Sequence, residues 1–130
     1  MMNRILVAVD DSSPALAAAT YAIELVQLHP AELRFASVEE PGHEPDVILR
    51  HVVALAASAG VTATAVSCDG HRPFDALLTI ARQWQADLII MGRSDMRRPG
   101  QRYVGSQTEH LLEFTEIPVL VVPAAERSAS

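Results

Sequence analysis

The chain reads as a single doubly wound α/β domain, a five-stranded parallel sheet with helices on both faces. Three observations predict it. Apolar runs and amphipathic stretches alternate along the chain in the order β-α-β-α-β-α-β-α-β, the pattern that builds parallel sheets through right-handed helical crossovers. Several of the apolar runs, residues 4–9 above all, are continuous rather than alternating, as strands buried on both faces are. A chain of 130 residues, 49% apolar and 20% charged, can bury one ordinary core without a metal or disulfide staple.

Residues 4–9 form the first strand, closed by Asp10, Asp11, Ser12 and Ser13. Ser13 before Pro14 starts a helix, a capping oxygen followed by a residue whose fixed φ suits the first turn. Leu16, Thr20, Ile23 and Gln27, with Ala19 and Val26 beside them, mark its buried face until Pro30 stops it. Residues 32–38 alternate as a second strand. A loop over 39–45 leads to a helix opened by Asp46, with Ile48, Val52, Leu55, Ala56 and Ala59 on one face and Gly60 as its C-cap. The β-branched run 61–67 is a third strand. A turn over 70–73 enters a third helix facing inward with Phe74, Leu77, Leu78 and Ala81; Trp84 lies on it as a packing residue. Residues 88–91 form the fourth strand, and 92–104 a polar loop with four arginines. Ser106 and Glu109 make a capping box for a fourth helix, and 118–122, closed by Pro123, form the fifth strand. The domain spans residues 1–124 and leaves 125–130 as a flexible tail.

Composition excludes several functions. Ten basic residues stand against sixteen acidic ones, a net charge of −6, which disfavours nucleic acid as a partner. All the basic residues are arginine, so no P-loop, Schiff-base or general-base lysine exists. No apolar run approaches the roughly 20 residues of a membrane-spanning helix. The single Cys68 forms no internal disulfide and, with no signal peptide, points to the cytoplasm. His29, His43, His51, His71 and His110 show no metal-ligand spacing. Asp10 and Asp11 lack the partners of a catalytic set and read as a strand end and helix cap. No catalytic and no metal-binding residue is assigned, and the chain is not read as an enzyme. Ligands of doubly wound sheets bind beyond the strand C-termini, where strand order reverses, and the turns after Val9, Val38 and Met91 lie there.

The segment Ala86-Asp-Leu-Ile-Ile-Met-Gly92, the long loop, Gly105-Ser106 and the run Ile117-Pro-Val-Leu-Val-Val122, together with the opening Ile5-Leu-Val-Ala-Val-Asp10, resemble the universal stress protein family. The resemblance runs from about Arg4 to Val122 and implies a Rossmann-like or flavodoxin-like sheet of order 3-2-1-4-5. It also implies an adenine nucleotide, ATP or AMP, with Mg²⁺ only as the nucleotide's companion. Asp10 and Val38 would border adenine and ribose, and Gly92, Gly105 and Ser106 would approach ribose and phosphates. Glycine permits close backbone approach, and a Gly-Ser helix start offers amides and a hydroxyl to an anion. Arg93, Arg97, Arg98 and Arg102 are candidate phosphate contacts, or else neutralise nearby carboxylates.

Nucleotide-binding relatives carry a glycine, two residues, a second glycine, nine residues, and then glycine with serine or threonine. Here that spacing is intact from Gly92 to Gly105-Ser106, but Asp95 replaces the second glycine. The reading is a cytoplasmic regulatory or protective protein of universal-stress type that binds an adenine nucleotide weakly. The alternative is a dimeric interaction module that has lost nucleotide binding because of Asp95. A third reading, an enzyme of the wider adenine-nucleotide α-hydrolase-like group, would need a catalytic or metal set that the sequence does not display; slow ATP hydrolysis has no identifiable base. The apolar last strand needs cover if it lies at a sheet edge, and the resemblance implies that a homodimer supplies it, with a regulatory protein as a further partner.

Overall fold

The computed structural model describes residues 3–10, 13–39, 44–69, 73–93 and 115–123. In chain order these form β1 (Arg4–Ala8), α1 (Ser13–Leu28), β2 (Glu32–Glu39), α2 (Pro45–Ser58), β3 (Ala63–Asp69), α3 (Pro73–Trp84), β4 (Leu88–Gly92) and β5 (Val119–Val122). The sheet has five strands in the order β3-β2-β1-β4-β5, every neighbouring pair parallel. Fold class and strand order match the sequence expectation, with β1 at the centre. The expected fourth helix at Ser106 and the tail over 125–130 lie outside the described residues.

The pleat sorts the strands between two cores. Ile5 and Val7 of β1, Leu33 and Phe35 of β2, and Ile90 of β4 face α1 and α2. Leu6, Ala36, Ile89 and Met91 face the opposite way, where Leu77, Leu78 and Ala81 of α3 meet them. Ile5, Leu6 and Val7 are therefore all fully buried, which is why the β1 run shows no alternation.

The helical faces differ in detail from expectation. In α1 the buried stripe is Ala15, Ala18, Ala19, Ala22 and Ile23, while Thr20 and Gln27 are exposed. Thr20 Oγ1 donates to the Leu16 carbonyl at 3.1 Å, and Gln27 Nε2 donates to the Ala59 carbonyl at 2.9 Å. The small stripe lets α1 lie close over the central strands. Reading for bulk rather than for approach distance turned the face by part of a turn. In α2, Leu49 is buried and Leu55 remains 36% exposed, again a small rotation of the expected stripe.

Two helix-to-strand corners share one construction. After α2, Gly60 adopts φ +80°, its N–H donates to the Ala57 carbonyl, and the Val61 N–H donates to the Ala56 carbonyl, both at 2.9 Å. After α3, Gln85 takes the left-handed position at φ 60°; its N–H donates to the Arg82 carbonyl at 3.1 Å, and the Ala86 N–H to the Ala81 carbonyl at 2.9 Å. These bonds satisfy carbonyls that a helix end leaves open. They also explain why β3 starts at Ala63 rather than Val61: the Val61 amide is spent on the cap, and its side chain is buried against the helix.

Candidate functional site

The sheet reverses its order at β1 and β4. From β1 the chain turns back toward β2, and from β4 it continues toward β5. This divergence opens the crevice in which doubly wound folds hold ligands. The β1–β4 register runs from Ile5 opposite Leu88 to Ala8 opposite Met91. Continued by one and two residues, it sets Val9 beside Gly92 and Asp10 beside Arg93.

Val9 is buried and its N–H donates to the Ala36 carbonyl at 2.9 Å, carrying the β1–β2 ladder to the rim. Asp10 follows as an exposed carboxylate. Val38 occupies the end of β2, opposite Cys68 of β3. Arg93 is half-buried, and its N–H donates to the Val122 carbonyl at 2.7 Å. The backbone just after β4 is thus tied to the end of β5.

Gly92 has a structural role that its sequence context did not reveal. A Cβ there would collide with the carbonyl carbon and oxygen of Pro14 and stand 2.7 Å from the Ala15 nitrogen. The neighbours are backbone, which cannot rotate away. Gly92 therefore lets the first turn of α1 rest directly on the end of β4.

The structure brings Asp10, Val38, Gly92 and Arg93 to the same end of the sheet. Gly105, Ser106, Arg97, Arg98, Arg102 and Asp95 lie outside the described residues. Ser37, which the sequence reading passed over, is a polar residue in the wall below this rim, 1% exposed and opposite Ser67. Its carbonyl accepts from the Cys68 thiol at 3.6 Å. Among the described residues no three His, Cys, Asp or Glu side chains cluster as metal ligands would. Among the same residues no helix is long and apolar enough to cross a membrane.

The opposite end of the sheet is pinned. Asp87 Oδ2 accepts from the Asn3 N–H at 2.8 Å and the Arg4 N–H at 2.9 Å, and the Asp87 N–H donates to the Arg4 carbonyl at 2.8 Å. The two backbone donors, Asn3 first, hold the Asp87 carboxyl below its ordinary value of 3.8. Arg4 Nη1 donates to the Trp84 carbonyl at 2.7 Å, and Arg4 Nε lies 3.6 Å from Glu32.

Comparison with known proteins agrees with this architecture. The chain matches the universal stress protein family over residues 1–123. A universal stress protein of Thermus aquaticus is 30% identical, the match covering 94% of this chain and 99% of that protein. One of Synechocystis is 27% identical over 95% of this chain and 87% of its own length. Among solved structures, a universal stress protein in complex with cAMP superposes with a TM-score of 0.80 at 26% identity, over 95% of this chain and 98% of its own. One from Archaeoglobus fulgidus also reaches 0.80 at 26% identity over 96% of this chain, which spans 45% of that chain's length. By sequence, strand order and motif spacing together, this chain belongs to the universal stress protein family.

Proposed function

We propose that this protein is a regulatory or protective module of the cytoplasm that binds an adenine nucleotide weakly at the C-terminal ends of β1, β2 and β4. It acts as a homodimer through β5 and passes its ligand state to a protein partner. The observation that carries the reading is the conjunction at the β1–β4 divergence of Asp10, Gly92 and Arg93 with a similar fold that holds cAMP. β5 is the end strand, so its outer backbone groups need a cover that a second copy would supply. Nothing in the reading requires catalysis, and Asp10, Val38, Gly92, Gly105 and Ser106 serve as binding residues.

Asp95 sets the expected ligand preference. A carboxylate about 5 Å from a phosphate charge costs about 3 kcal/mol at an effective dielectric near 20, roughly a hundredfold in affinity. Arg93, Arg97, Arg98, Arg102 and a nucleotide-borne Mg²⁺ oppose it. Ligands with little phosphate charge, adenosine or cAMP, are then favoured over ATP. Calorimetric titration of the wild type and Asp95→Gly with ATP and adenosine tests this. The expected result is that Asp95→Gly tightens ATP much more than adenosine. Tight ATP binding that Asp95→Gly leaves unchanged would overturn the assigned role of Asp95. No binding of any adenine ligand by either protein would favour the interaction module without nucleotide. Native mass spectrometry reads subunit count and any retained nucleotide in one spectrum, and a monomer at micromolar concentration would sink the dimer.

A further inference from the structure

We propose that Arg34, clamped on Trp84 at the β3 side of the sheet, anchors a carboxylate of an extended acidic peptide that a partner protein adds to the outer edge of β3. This site is separate from the β1–β4 crevice. It lies on the face packed by α3 and does not depend on nucleotide binding.

The guanidinium of Arg34 is held on two sides. Its carbon lies 4.6 Å from the centroid of the Trp84 ring, and its Nε donates to Thr64 Oγ1 at 3.0 Å. Stacking and the Nε bond fix the plane of the fork. Among the described residues its two terminal nitrogens make no hydrogen bond, and no carboxylate pairs with it. In a chain of net charge −6, a half-buried arginine without a counter-ion is conspicuous. Arg4 approaches the same indole at 5.8 Å, but Arg4 has Glu32 and the Trp84 carbonyl as partners. Of the two cations on this ring, Arg4 is met by Glu32, and Arg34 is the one without a carboxylate in contact among the described residues. A planar fork with both outer nitrogens open matches a carboxylate in bidentate geometry.

The edge beside it names the kind of ligand. Among the described residues β3 ends the sheet, which leaves one side of its backbone unpaired among them, and Thr64 stands directly opposite Arg34 in the register. A strand added to β3 would present alternate side chains on the face that carries Thr64 and Val66. An acidic side chain beside Thr64 would reach the Arg34 fork, and the next one on that face would meet Val66. Residues 61–68 contain no Asp or Glu to repel it.

Trp84 is the chain's single tryptophan, so its fluorescence reports the site directly. The probe is a blocked hexapeptide alternating glutamate with threonine, titrated into the full chain at low salt. The expected result is a saturable change in Trp84 emission with a Kd below about 1 mM. Exchanging the peptide's glutamates for glutamine should weaken it at least tenfold, as should Arg34→Lys, which keeps the charge but loses the fork. Prior saturation with adenosine should leave the titration unchanged. The glutamine peptide is tested on the wild-type protein, so that arm stands even if Arg34→Lys disturbs the fold. Equal binding of the glutamine peptide would overturn the proposal, as would an equal effect of acetate at matched carboxylate concentration. So would a Trp84 signal that depends on protein concentration alone, which marks a second copy on this edge.

Discussion

The two ends of the sheet are built on different plans. At the N-terminal end, corners and pins are made from residues the structure fully accounts for: left-handed caps at Gly60 and Gln85, and a carboxylate at Asp87 holding two backbone amides. At the C-terminal end, β1, β2 and β4 stop at Ala8, Glu39 and Gly92. The closest backbone packing among the described residues there is that of Gly92 on Pro14 and Ala15. The difference separates two kinds of joint. Hydrogen-bonded caps and pins hold the end where helices return to strands. Close backbone packing at a single glycine keeps the end where strands depart, which carries the proposed binding residues, in register with the first helix.

Substitutions at each end test this division. The largest effect is expected for Gly92→Ala. Its Cβ meets backbone rather than a flexible side chain, so a loss of about 3 kcal/mol is expected, the upper end of ordinary overpacking. Urea unfolding measures it, and a loss under about 0.5 kcal/mol would mean that α1 shifts freely on the sheet.

The paired corners come next. Gly60→Ala should cost about 1 kcal/mol, because alanine resists the left-handed conformation at φ +80°. Gln85→Gly should stabilise by up to about 1 kcal/mol by relieving the same strain. Opposite signs in the two melting curves are the signature; equal signs would show that the corners are not equivalent.

The smallest effect is expected at solvent-facing Asp87. Its folded pKa is depressed below 3.8, so its contribution is present above that pH and is lost as pH falls through the folded value. Asp87→Asn should therefore lower the melting temperature at neutral pH, and the gap to wild type should narrow in acid. A gap that stays constant from neutral pH to well below 3.8 would remove the carboxylate from the pin.

Much of this was legible in the sequence, and the gaps have physical causes. The α/β class and the polar strand ends followed from the alternating apolar runs and amphipathic stretches, and the strand order from the resemblance carried by residues 5–10 and 86–122. The shift of the α1 face was not legible, because alanines at Ala15, Ala18, Ala19 and Ala22 carry little hydrophobic weight yet decide how near a helix may lie. The packing role of Gly92 was hidden because the same residue serves a motif spacing, and only coordinates show what a Cβ would strike. The Arg34–Trp84 stack joins residues far apart in the chain, and no local period encodes it.

The central position of β1 also shapes the time course of folding. The bond between the Arg4 amide and Asp87 spans 83 residues. At about 5–20 residues per second of synthesis, roughly 4–16 s pass before β4 emerges to meet β1. Until β4 arrives β1 is an edge strand, and until α3 emerges just before it the Leu6 side of the sheet formed by β1, β2 and β3 is uncovered. Non-local closure of this kind slows folding. The nascent protein is therefore most exposed to aggregation or chaperone capture between the completion of β3 and the arrival of α3 and β4. Truncation at residue 69 should yield a species that binds apolar dyes, and the full chain should not.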